Sequence, residues 1–201
     1  MDLGSPVLDV APAVRGALLQ ALARLEQPVT RRQLAAAAGV APGNASAVIE
    51  ELIRSGLVSE AVAGRSSMVL LNRHHLAAAP VLALAGLRGE LIRRLRERLA
   101  AWPDLGGAWL FGSVARGDAT SDSDVDLLIV AEDLQSPDLH DRLSQLHADV
   151  RSWTGNDLQV VEHSPSSWRK LVQAKDPLVQ QVRRDGIALA DRTASLSGRP
   201  R

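Results

Sequence analysis

Two aspartates one residue apart, Asp124 and Asp126, stand directly ahead of the apolar run Leu127-Leu128-Ile129-Val130. On an extended strand, residues two apart share a face, so both carboxylates would project together. Two hard oxygen ligands on one rigid face suit Mg²⁺, which keeps positions open for water and for phosphate oxygens. Two such ions can activate an attacking oxygen and stabilise a departing pyrophosphate. Just upstream, Gly112-Ser113-Val114-Ala115-Arg116-Gly117 follows a short apolar stretch over 107–111. Gly112 removes a side chain where the backbone must approach a phosphate. Ser113 offers a hydroxyl and a backbone N–H at the start of a helix, which suits an anion. Arg116, one turn further on, reaches the same phosphates. The chemistry to which these residue types point is phosphoryl chemistry assisted by a divalent cation.

The elements that must position these residues are readable from apolar spacing. Strands are predicted over 107–111 and 127–130, then a helix over 137–153, a strand over 156–162 and a closing helix over 166–184. Ahead of them, Leu84, Leu87, Leu91, Leu95 and Leu99 recur at helical spacing and predict one long helix over 80–102. Arg88, Arg93, Arg94, Arg96 and Arg98 cluster around that helix as a basic face. The first part of the chain reads differently. A helical stripe spans 13–25, and Thr30 is a good N-cap for a helix over 31–38 that Gly39 ends. Pro42 opens a third helix with Val48, Ile49, Leu52 and Ile53 as its buried stripe, stopped by Gly56. Two short strands, 57–62 and 68–72, flank a Gly-Arg-Ser-Ser turn. Helix, turn, helix and a two-stranded wing make a winged helix-turn-helix, whose third helix enters the major groove of DNA. Asn44 and Ser46 would read base edges, and Arg31, Arg32, Arg54 and Arg65 would touch phosphates. Glu50 and Glu51 oppose that contact, so the same module also reads as a dimerisation or partner-docking domain.

The run Met68-Val69-Leu70-Leu71-Asn72-Arg73-His74-His75 resembles the winged-helix part of bacterial MarR-like regulators. Gly112-Ser113, ten residues, then Asp124-Val125-Asp126 resembles the signature of the polymerase-beta-like nucleotidyltransferases, in their minimal branch. That resemblance runs from Leu105 to Ala190. It implies an α/β (α+β) domain with a small mixed sheet. It implies transfer of a nucleoside monophosphate from an NTP, ATP among them, to an acceptor hydroxyl on a protein, a nucleic acid or a small molecule. Asp124 and Asp126 would then hold Mg²⁺, two ions in all, and Gly112, Ser113 and Arg116 would bind the nucleotide. The family also implies a third carboxylate on a later strand, directly before an apolar pair. That position is Gln159 here, a departure from the pattern. Asp157, two residues earlier on the same strand face, is the candidate third ligand or base.

Composition bounds the rest. Lys+Arg and Asp+Glu number 23 each in the 201 residues, so the whole chain has no net pull toward nucleic acid or membrane. The balance is uneven along the chain: seven Arg face six acids over 1–80, whereas 104–201 carries eleven basic residues against fifteen acids. With no cysteine, a disulfide scaffold, thiol catalysis and a Cys-ligated zinc site are excluded. One Phe, four Trp and no Tyr argue against a stacking platform for single strands. No apolar run reaches the ~18 residues of a membrane span, and 1–10 lacks a leader pattern, so a cytoplasmic protein is expected. The expected organisation is a mainly α winged helix-turn-helix domain over 1–79, a connecting helix over 80–103, a nucleotidyltransferase domain over 104–192 and a frayed tail over 193–201. The expected partners are an NTP, DNA through the winged helix, an acceptor protein and a second copy of the chain. Against the enzyme stands a second reading, a non-catalytic transcriptional regulator or antitoxin whose nucleotidyltransferase-like half senses nucleotide. His140 and His147, seven apart on one helix, make a minor candidate metal pair.

Overall fold

The computed structural model describes residues 1–63 and 66–191. Arg65 and the 193–201 tail lie outside the described residues. The chain separates into two units, one of Asp2 with Gly4–Leu87, the other of Met1, Leu3 and everything from Arg88 onward.

In the first unit, α1 (Val7–Val10) and α2 (Ala13–Arg24) lead to β1 (Val29–Thr30), α3 (Arg31–Ala37) and α4 (Pro42–Arg54). Then come β2 (Val58–Ala63), β3 (Ser66–Leu71) and α5 (Ala78–Ala85). Thr30 and Gln33 form a reciprocal capping box at the start of α3. In α4, Ala45, Ile49 and Leu52 are buried at helical spacing, in one core with Leu18, Leu22 and Leu34. Fully burying each such leucine contributes roughly 1.5–3 kcal/mol. The strands are antiparallel, in the order β1-β3-β2. Sequence spacing foretold neither β1 nor α1. β1 is two residues long, too short for alternation to register, and it exists through pairing with Met68 and Val69.

The long helix expected over 80–102 is two helices, α5 and α6 (Leu87–Ala100), separated at Gly86. Glycine holds helical backbone worse than any residue but proline, so the leucine spacing continues while the helix does not.

The second unit contains α6, β4 (Leu105–Phe111), α7 (Gly112–Arg116), β5 (Val125–Ala131) and α8 (Pro137–Thr154). It continues with β6 (Leu158–His163), α9 (Pro165–Ala174), α10 (Pro177–Asp185) and β7 (Ile187–Asp191). The sheet is mixed, in the order β6-β5-β4-β7, with only β5 and β6 parallel. A parallel pair requires a long crossover, which α8 provides. β5 is central, and Leu127 to Ala131 is buried without interruption. Val125, Leu127 and Ile129 pack on one face with Leu91, Leu95 and Leu99 of α6 and Leu139, Leu143 and Leu146 of α8. Leu128 and Val130 pack on the other with Trp109, Phe111, Trp168, Val179 and Val182. The single closing helix expected over 166–184 is likewise divided. Lys175 turns the chain through left-handed backbone at φ 54°, and the Asp176 side chain caps α10 by accepting from the Leu178 N–H. Pro177 then opens α10, since proline is tolerated in a first turn but not in a helix interior.

Candidate active site

β4 delivers the chain to α7 through one glycine. Gly112 has φ +70°, in the left-handed region. A Cβ there would collide with Oδ2 of Asp126. Glycine is thus required twice, by backbone conformation and by the carboxylate that occupies the space beside it. Asp126 pairs across the sheet with Phe111 of β4 on one side and Gln159 of β6 on the other. By alternation it shares a face with Leu128 and Val130, the face covered by α9 and α10. Asp124 lies just ahead of β5, exposed and outside the strand rather than on it as the spacing predicted. The pair still acts as one electrostatic unit. Burial pushes the Asp126 carboxyl above the usual carboxylate range, the Asp124 charge pushes it further, and the Arg116 guanidinium opposes both.

Neither Asp124 nor Asp126 accepts a side-chain hydrogen bond from a described residue. Two neighbouring carboxylates with unused lone pairs, one of them half-buried, suit a hard divalent cation. Among the described residues no three His, Cys, Asp or Glu side chains gather to hold a metal. Asp157 does not join the pair. It stands one residue ahead of β6, exposed, with its carboxylate in an ion pair with Arg151, while its backbone carbonyl accepts from the Val125 N–H at 2.8 Å. Gln159 is the β6 residue directly beside Asp126. The donor set therefore fits a cation held by two carboxylates and completed by phosphate oxygens and water, not one ringed by three acids. His140 bonds to the Ser136 carbonyl oxygen and belongs to no metal cluster among the described residues.

Arg116 is exposed, with Nε 3.1 Å from Asp118 and Nη1 3.9 Å from Asp185, at the end of α10. The loop before Asp124 is held by Asn156, which the sequence reading passed over. This buried amide donates from Nδ2 to the carbonyl oxygens of Ser123 at 2.8 Å and Ser121 at 3.3 Å. A second bond within the loop runs from the Thr120 N–H to Ser123 Oγ at 2.9 Å. Asn156 thereby fixes the peptide that carries Asp124. A lone asparagine after a glycine reads as a turn residue, so no local signal could have singled it out. A cavity of about 230 Å³, lined by Trp102, Asp104, Ala131, Glu132 and Arg142 among others, lies at the opposite end of β5 and includes neither aspartate.

In the first unit, Asn44, Ser46, Arg32 and Arg54 are exposed. Arg31 pairs its guanidinium with Glu50 and, at 2.6 Å, with Glu60, so a phosphate would have to displace those carboxylates. No helix among the described residues is long and apolar enough to cross a membrane.

No curated protein matches the chain. Among solved structures it is similar to a toxin–antitoxin with AMP-PNP, at 25% identity over 52% of this chain and 73% of that one, with a TM-score of 0.34. It is similar to a mutant of the toxin–antitoxin MntA–HpeT at 24% identity, over 55% and 77% of the two chains, with a TM-score of 0.36. A MarR-family transcriptional regulator from Rhodococcus sp. RHA1 matches at 18% identity, over 50% and 83%, with a TM-score of 0.31. Residues 91–175, which span α6 to α9 and include Gly112, Asp124, Asp126 and Gln159, match the family described as a nucleotidyltransferase domain.

Proposed function

We propose that the chain transfers a nucleoside monophosphate from an NTP to an acceptor hydroxyl and releases pyrophosphate. The observation that carries this reading is the pair Asp124 and Asp126, whose carboxylates accept no hydrogen bond from a described residue, beside a glycine whose missing side chain makes room for the Asp126 carboxylate. In this reading Ser113 and Arg116 hold the triphosphate beside Gly112, with Arg116 exchanging Asp118 for phosphate oxygens. Asp124 and Asp126 hold Mg²⁺, which when bound neutralises charge on the phosphate oxygens. The acceptor oxygen attacks the α-phosphorus as its hydroxyl proton passes to solvent, and the bond from that phosphorus to the bridging oxygen of pyrophosphate breaks. Asp157 keeps a supporting place at the entry to β6, paired with Arg151.

Residues 1–79 serve this reading as a winged helix-turn-helix that docks DNA or a partner protein, joined through 80–103 to the transferase domain over 104–192. Asn44, Ser46, Arg32 and Arg54 are the exposed contacts available for duplex DNA. A second reading, a regulator that senses nucleotide without turnover, draws on Gln159 beside Asp126, where an acid would complete the carboxylate set.

Labelled NTPs, Mg²⁺ and cell lysate decide between the two. Mg²⁺-dependent label transfer is expected, and it falls at least about a hundredfold in the Asp124→Asn/Asp126→Asn double variant. NTP binding without transfer selects the sensing regulator. Neither binding nor transfer removes both readings of the nucleotide site.

A further inference from the structure

Helix α7 is too short to hold itself in place. Its five residues leave their last carbonyl groups without intrahelical donors. The chain departs through Gly117, at φ +83°. The N–H groups of Gly117 and Asp118 both go to the Ser113 carbonyl oxygen, at 2.9 and 3.2 Å. The carbonyl oxygens of Val114 and Ala115 are met instead by one side chain from another element. Arg88, in the first turn of α6, donates from Nε to Val114 O at 2.6 Å and from Nη2 to Ala115 O. A planar guanidinium is the group that can meet two successive carbonyls with two donors held in fixed relation. Its positive charge stands at the negative end of the short helix, the favourable sign. The guanidinium also packs beside Gly117, where a Cβ would lie 3.7 Å from Arg88 Cζ.

We propose that Arg88 is a positioning residue for the nucleotide site, clamping α7 to α6 so that Ser113 and Arg116 meet the triphosphate together. This rests on the nucleotidyltransferase reading. The Ala115 carbonyl belongs to the peptide bond that leads into Arg116, so the clamp acts one residue from the guanidinium assigned to phosphate. The anchor is firm, because α6 buries Leu91, Leu95 and Leu99 in the core of the unit. Arg88 acts through α7 and is assigned no contact with the reacting atoms. Its charge alone does not supply the function: a lysine ammonium has no rigid fork with which to span both carbonyls.

Arg88→Gln and Arg88→Lys in the full chain test this through two readouts. The first needs no nucleotide: in hydrogen–deuterium exchange, amides over 112–118 are expected to exchange about tenfold faster in Arg88→Gln, with the core of β5 unchanged. The second is steady-state transfer with each of the four NTPs. KM for the NTP is expected to rise about tenfold while kcat changes less than about threefold, with Arg88→Lys in between. Unchanged exchange over 112–118 overturns the clamp. Faster exchange with unchanged KM overturns its positioning role. A wild-type chain that neither binds nor transfers any NTP overturns the underlying reading, and is recognised before any variant is compared.

Discussion

Asp126 carries a cost that its proposed function explains. Burial and the Asp124 charge hold its carboxyl above the usual carboxylate range, so the ionised form is disfavoured in the folded state. The native chain therefore binds this proton more readily than the unfolded chain. This group's penalty is fully present above its folded pKa and fades as pH falls through that value toward the ordinary one. Asp126→Asn is expected to abolish transfer yet to unfold at a higher temperature than wild type at neutral pH, the difference closing in acid; thermal melts across pH would show it. Gly112→Ala is expected to cost at least about 1–2 kcal/mol, because alanine must adopt left-handed backbone and its methyl meets Asp126 Oδ2. Chemical denaturation measures this, and a neutral result would contradict the placement of that carboxylate.

At the scale of elements, the local signals that succeeded were those whose physical cause is local. The Thr30 cap, the Pro42 start and the apolar run of β5 depend on a few neighbouring residues. The failures came where a regular pattern ran through a break. The leucine stripe continues across Gly86, and apolar spacing continues across Lys175-Asp176-Pro177. Glycine and proline signals there should have outweighed the periodicity. β4 and β5 bring Gly112 and Asp126 together, and the helices behind them supply the rigidity. Leu95, fully buried in α6, is therefore expected to matter: Leu95→Ala should lower stability by about 2–5 kcal/mol in urea titrations. A cost below about 1 kcal/mol would mean that this face of the sheet collapses around the cavity.

For the whole molecule, neutrality conceals an uneven charge distribution, with the acidic excess confined to residues after 103. The DNA contacts proposed for the first unit are few, and Arg31 is already neutralised by Glu50 and Glu60. Non-specific affinity grows with the number of phosphates neutralised. Glu50→Gln combined with Glu60→Gln is expected to strengthen binding to duplex DNA about three- to tenfold at low salt, with a steeper salt dependence. Fluorescence anisotropy over a salt series measures both, and unchanged affinity would remove Arg31 from the DNA-facing set.

What the amino-acid sequence determined by itself was the chemistry packed into one short stretch. Gly112, Ser113, Arg116, Asp124 and Asp126 are close along the chain, and strand, turn and strand signals around them are short-range, so their types and order are enough to propose a phosphate and a divalent cation. Tertiary structure decided which other residues reach that stretch. It set Gln159 rather than Asp157 beside Asp126, brought Arg88 to α7 and placed Asn156 behind the peptide of Asp124. It also created β1, which exists only through its partner strand. Each of these contacts joins residues well over twenty positions apart, and at that distance side-chain type no longer reveals the partner. Packing of the helices on the sheet selects it.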